Sequence, residues 1–373
     1  MQRSFFEAIA ILVGTIIGAG VLGIPYVVAK AGFVTGLVTL LFIGFMIVVL
    51  NLYLGEITSR TKGRHALAGY AERYLGKWGK LAMTFSILIG TYGALIAYLI
   101  GVGASLNALF GIREIFATLG FFILVSTIVY MGLKTIGKWE FWLSGFVLAI
   151  ILFIFFVSFG KFDIGNLTGF DWKNLFIPYG VIFFAFIGTT AIPEVRGILD
   201  HNKKRLKTAI LIGSLIPIVA YLLFTLAVLG VTGINTTEIA TIGLGTVIGR
   251  YMVVTGNLFA IIAMSTSFLA LGLAINWVYR YDYKVSKNWA WVLTVFPPLI
   301  IALSGLTGFI QIIGISGAIA GGVDGLLIVM MHKRSKKLGE IKPAYEFKSR
   351  WYVSLLLSLI FLGGIVYTVI GLF

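Results

Sequence analysis

The sequence predicts an all-α polytopic membrane protein with eleven transmembrane helices. Three observations carry that prediction. Composition is the first: 59% of residues are hydrophobic, only 12% are charged and mean hydropathy is +1.03, which no soluble class matches. Apolar runs near the ~20 residues that a helix needs to cross a bilayer core are the second. They fall at 5–29, 34–56, 81–109, 115–133, 139–160, 175–198, 208–231, 246–279, 289–304, 307–331 and 351–372. The third is charge alternation. With the N-terminus inside, 24 of the 29 Lys and Arg residues lie in inner segments and 5 (Lys30, Arg113, Lys161, Lys173 and Arg250) in outer ones. A single missed span would scramble this pattern, so it supports the span count, a cytoplasmic N-terminus and an extracellular C-terminus. It also accounts for the net charge of +15 as a topology signal, ahead of nucleic-acid or specific lipid binding.

Other classes are excluded by what the spans lack. There is no cysteine, so no disulfide, thiolate nucleophile or thiolate metal site is expected. His65, His201 and His332 read as residues of charged inter-helix segments, so a metal cluster or an intramembrane enzyme is not expected. No cofactor is implied. The first apolar run is too long and glycine-rich for a signal-peptide core and reads as a retained span.

That first run contains Gly14-Thr15-Ile16-Ile17-Gly18-Ala19-Gly20-Val21-Leu22-Gly23-Ile24-Pro25, centred near Ile17. Four glycines and a proline are costly in a helix interior. Either they are small residues for close packing, or the helix is broken at mid-membrane and lines a polar cavity. Residues 58–80 form the longest polar connection. There Ala66 to Leu75 predicts a short amphipathic interfacial helix, with Tyr70, Tyr74 and Trp78 as anchors. A second break is expected in the sixth run, at Phe183-Phe184-Ala185-Phe186-Ile187-Gly188-Thr189-Thr190-Ala191-Ile192-Pro193-Glu194. Two broken helices of opposite direction, five spans apart, predict inverted repeats. The units would be 1–160 (helices 1–5) and 175–331 (helices 6–10), joined by an outer connector at 161–174. A basic inner loop, 332–350, and an extra helix, 351–373, would follow.

These features resemble the amino acid–polyamine–organocation superfamily, whose fold is the leucine-transporter (LeuT) type. Gly18-Ala19-Gly20-Val21 followed by Pro25 is similar to its helix-one motif. Phe183 to Gly188 with Glu194 is similar to its helix-six motif. Tyr92-Gly93-Ala94-Leu95-Ile96-Ala97-Tyr98 is similar to the amino acid/auxin permease branch. Ala263-Met264-Ser265-Thr266-Ser267-Phe268-Leu269 is similar to that branch and to the aromatic amino acid permeases. The resemblance spans the first ten runs.

The resemblance implies a substrate site in the breaks, at Gly18 and Gly188. Ala19 and Gly20 N–H groups would take a substrate carboxylate. The carbonyls of Ile16, Phe186 and Ile187 would take its ammonium. Phe184 would be an aromatic lid and Tyr98 a pocket wall, although either ring could equally be a packing or lipid-facing aromatic. A half-helix start carries positive dipole and free N–H groups, so the physics agrees, and neither break contains a charged side chain. Ala263, Thr266 and Ser267, with carbonyls of Gly14 and Ile17, match the family's sodium pattern. The two hydroxyls could instead bond to carbonyls one turn back. Glu194 and Asp324 are the candidates for an inner gate or a proton carrier, Glu194 with a basic partner such as Arg3. Glu7 and Glu56 read as acids at cytoplasmic span ends, solvated at the interface or paired with Arg3 or Arg60.

The expected function is cation-coupled import of amino acids, neutral or aromatic, by a monomer in a cell membrane, with lipid and the small-molecule substrate as partners. A polyamine, nucleobase or metal ion on the same fold, or a channel, are the alternatives.

Overall fold

The computed structural model describes residues 2–132, 140–348 and 350–371, and all regular structure among them is helical. The first half comprises α1 (Gln2–Ile16), α2 (Gly20–Ala31), α3 (Phe33–Arg60), α4 (Leu67–Leu75), α5 (Lys77–Phe110), α6 (Glu114–Met131) and α7 (Glu140–Ser158). Then come α8 (Tyr179–Phe186), α9 (Ile192–Ile198), α10 (Leu206–Thr232), α11 (Ala240–Ile248) and α12 (Arg250–Trp277). The chain closes with α13 (Lys287–Leu303), α14 (Phe309–Ser316), α15 (Gly322–Leu338) and α16 (Trp351–Ile370).

Both expected breaks exist. Segments α1 and α2 form one span bent by 54°. Segments α8 and α9 are separated by extended Ile187 and a 3-10 turn at Thr189–Ala191. A third discontinuity was not expected: a π turn, Gly317–Gly321, joins α14 to α15. Its signal was present as Gly314, Gly317, Gly321 and Gly322. In addition, the run 246–279 is cut at Gly249, whose φ of 126° no L side chain adopts easily, so the span is α12 alone.

Among the described residues, nine helical segments are long and apolar enough to cross a membrane, or ten with the bent α1–α2 pair. That falls short of the expected eleven. The run at 289–304 is α13, only 17 residues long and carrying Pro297 and Pro298. Lys134, Lys138 and the side chain of Arg3, used in the charge count, lie outside the described residues.

Two readings at the basic end of the bundle are corrected. The short helix α4 is present, but Tyr70 and Tyr74 are buried in protein instead of anchoring at the interface. Tyr74 Oη shares a 2.7 Å hydrogen bond with Thr61 Oγ1, and burial raises its phenol pKa. Trp78 is exposed, as an interfacial anchor should be. His332 is not in a loop. Segment α15 continues to Leu338 and buries this ring flat against Tyr53, with centroids 3.9 Å apart. Its Nε2 lies 3.0 Å from Glu56 Oε2. That carboxylate also accepts from Arg60 Nε at 2.9 Å, as expected, and from the Phe347 N–H at 2.8 Å.

The connection from Gly339 to Arg350 is strapped over this cluster. Glu340 and Ile341 N–H groups donate to Arg60 O, closing a turn left open at the end of α3. Tyr345 Oη donates to Leu52 O at 2.6 Å, and burial keeps its phenol neutral by raising its pKa well above the ordinary value. Arg73 pairs with Glu340 and Arg60 with Glu346.

Removing the acceptor from a buried charged cluster strands its donors, at a cost of about 3–5 kcal/mol. Glu56→Ala is therefore expected to lower the detergent melting temperature sharply, and Glu56→Gln, which keeps one carbonyl acceptor, to lower it less. Melting at the wild-type temperature in Glu56→Ala would refute the role assigned to the cluster.

Candidate functional site

The two broken spans cross at their breaks. A methyl group on Gly20 would stand 2.6 Å from Ala185 Cα, so α2 and α8 touch backbone to backbone there. One on Gly188 would collide with the Ile16 side chain. Glycine at these positions is needed for close approach. By contrast, a methyl on Gly18 would meet Ser267 Oγ at 3.5 Å and Tyr98 Oη at 3.8 Å, which is ordinary contact. The resemblance singled out Gly18 and Gly20 together; the packing makes Gly20 the tighter of the two.

Breaking a helix frees N–H groups at one start and carbonyls at the other end. At α1, Ile16 O accepts from Gly18 N–H at 2.9 Å and lies 2.8 Å from Tyr221 Oη. The same hydroxyl lies 2.8 Å from Ala185 O, a freed carbonyl of α8. Tyr221, fully buried on α10, thus bridges both breaks with one phenol, and its ring packs at a tilt of 49° against Phe186 with centroids 4.9 Å apart. Sequence reasoning missed it. A tyrosine in an apolar helix has no local signal, because its partners are 205 and 36 residues away.

Beside the crossing lies a cavity of about 140 Å³, the size class that takes one aromatic ring. Of the expected substrate residues, Ile16, Gly18, Gly20, Tyr98, Phe184 and Ile187 line it. Ala19, Phe186 and Gly188 do not: all three are buried behind the break backbone. Ser86, Ile87, Gly90, Thr91 and Ala94 of α5 extend the lining toward the basic end, where Asp324 closes it. Apart from Asp324, no charged side chain lines the cavity among the described residues.

The hydroxyls expected to hold an ion sit on α12, and of the two Ser267 approaches the first break, at Gly18. Thr266 Oγ1 lies 3.0 Å from Ile262 O and 3.1 Å from Ala263 O, the one-turn-back arrangement. Ser267 Oγ and Tyr98 Oη both lie against Gly18. Gly14 and Ile17 sit in the last turn of α1 and in the break. Glu194 is exposed in α9 and close enough to Glu7 for the two acids to repel.

Two substitutions test the crossing. Tyr221→Phe keeps the ring and removes the shared donor, and should cost about 1–3 kcal/mol in detergent stability. Gly20→Ala must displace backbone, and should destabilise more than Gly18→Ala in the same melting assay. Equal melting of the two alanine variants would show that the breaks do not meet at Ala185.

Comparison with known proteins agrees with this architecture. The chain is 30% identical over 333 residues to tyrosine-specific transport system 1 of Haemophilus influenzae, covering 82% of each chain. It is 26% identical over 333 residues to glutamine transporter 2 of Aliivibrio fischeri, covering 86% of each. The crystal structure of MhsT in complex with L-phenylalanine superposes with a TM-score of 0.69 at 16% identity, covering 100% of this chain and 99% of that one, so the fold is LeuT-type. The model of the tryptophan/tyrosine permease family matches residues 1–371, and the chain belongs to that family of multi-pass membrane transporters.

Proposed function

We propose that this protein imports neutral, and chiefly aromatic, amino acids by cation symport and alternating access. The observation that carries the reading is the crossing of two broken helices beside a ring-sized, largely apolar cavity. A zwitterion needs a donor set for its carboxylate and an acceptor set for its ammonium. The first turn of α2 supplies N–H groups and the end of α8 supplies the carbonyls of Phe186 and Ile187. Ile16 O already accepts from Gly18 N–H and shares the Tyr221 hydrogen with Ala185 O, so we assign the ammonium chiefly to the α8 carbonyls. Phe184 and Tyr98 would flank the side chain. Ser267, Thr266 and the α1 carbonyls remain the candidate sodium ligands. The names of the relatives, which specify tyrosine and glutamine, and the family name support an amino acid substrate.

In this reading residues 1–160 and 175–331 are the two inverted units that rock against each other. The basic end faces the cytoplasm of a cell membrane, with the N-terminus inside and the C-terminus outside, and the monomer is the working unit.

Uptake of labelled tyrosine, tryptophan, phenylalanine and glutamine into proteoliposomes tests this, with imposed sodium or proton gradients at clamped potential. Saturable accumulation driven by one gradient is expected, with aromatic substrates preferred. Sodium-driven uptake lost in Thr266→Ala with Ser267→Ala would place the ion at the hydroxyl pair. Absence of amino acid uptake under either gradient would overturn the substrate assignment.

A further inference from the structure

Asp324 lines the same cavity as the break residues Ile16, Gly18 and Ile187, next to Ser86 of α5. It sits one turn past the π turn, whose Gly321 packs against Phe183 and Ile187.

The carboxyl is 7% exposed, and its Oδ1 has no hydrogen-bond partner. The titratable and charged groups on neighbouring elements are occupied elsewhere. Glu56 of α3 pairs with His332, two turns further along α15 itself. On α4, Arg73 pairs with Glu340 and Tyr74 with Thr61. Tyr98 of α5 turns its hydroxyl to Gly18 and Ser267, and α16 buries Leu357, Phe361 and Gly364, which do not titrate. No cation lies within ion-pair distance of Asp324 among the described residues.

The Ser86 hydroxyl next to it in the cavity lining has one hydrogen, and Ala320 O, 2.7 Å away, takes it. An ionised Asp324 would stand buried with no cation to compensate, in a setting where a bare carboxylate is expensive.

We propose that Asp324 is the coupling-proton site of the transporter. This rests on the transport reading above and selects the proton as its cation. The closed cavity holds Asp324 as the neutral acid. Opening toward the basic end admits water and lets the O–H bond break, and the proton leaves to that water. Re-protonation on the other side re-forms the bond with a proton drawn from water there. Nothing is oxidised or reduced. Closure over an ionised Asp324 is penalised, which ties movement of the cavity to movement of the proton.

Proteoliposomes with labelled tyrosine and a trapped pH dye test this. Wild type should acidify the lumen when tyrosine is added outside, and should accumulate it under an acid-outside gradient without sodium. Asp324→Asn fixes a neutral side chain. Gradient-driven accumulation should fall by about tenfold or more, while exchange of external for internal tyrosine, which needs no net proton movement, continues. Asp324→Glu should keep proton-driven accumulation with a shifted pH profile. Wild type that exchanges tyrosine without acidifying the lumen would overturn the proposal whatever the variants do. Proton-driven accumulation surviving in Asp324→Asn would overturn it too, as would joint loss of exchange and accumulation in an Asp324→Asn protein that inserts normally. Wild type that neither exchanges nor accumulates any amino acid would sink the transport reading itself.

Discussion

The bridge made by Tyr221 holds the site together. A broken helix inside a membrane is affordable only if its freed backbone groups find partners, because lipid supplies none. Tyr221 Oη lies 2.8 Å from both Ile16 O and Ala185 O, one carbonyl from each broken span. It has a single hydrogen to share between them, so the bridge draws both breaks toward α10. With Gly20 lying on Ala185, the two interruptions form one structural unit. The cavity exists because that unit cannot be filled by continuous helix.

Polarity around the cavity is supplied mostly by backbone, which suits a ligand carrying both charges. Fixed side-chain charge would favour one end of a zwitterion and repel the other. Half-helix termini offer partial charges of each sign a few ångströms apart, without the desolvation penalty of an ion. The acid that is present, Asp324, lines the same cavity.

The basic end is built differently. There Glu56, His332 and Arg60 are buried as a connected set, and the Gly339–Arg350 strap adds backbone donors to the same carboxylate. The cluster ties α3, α15 and the strap together at this end of the bundle. Protein-filled acceptors of this kind hold geometry, whereas the under-partnered Asp324 one helix segment away is suited to change.

The sequence by itself determined the class, the two principal breaks and the family. Those properties are written in local composition: apolar run length, Lys and Arg placement, and glycine and proline within a helix. It also located part of the cavity lining, because Gly18, Gly20, Phe184 and Tyr98 sit in short recognisable strings. Contacts between distant segments were decided only by tertiary structure. Tyr221 looks like any tyrosine in an apolar helix until two breaks 169 residues apart are brought to it. His332 reads as loop until α15 extends to bury it. Which glycine is indispensable, and whether an acid has a partner, depend on what packs opposite. One-dimensional periodicity carries no record of that.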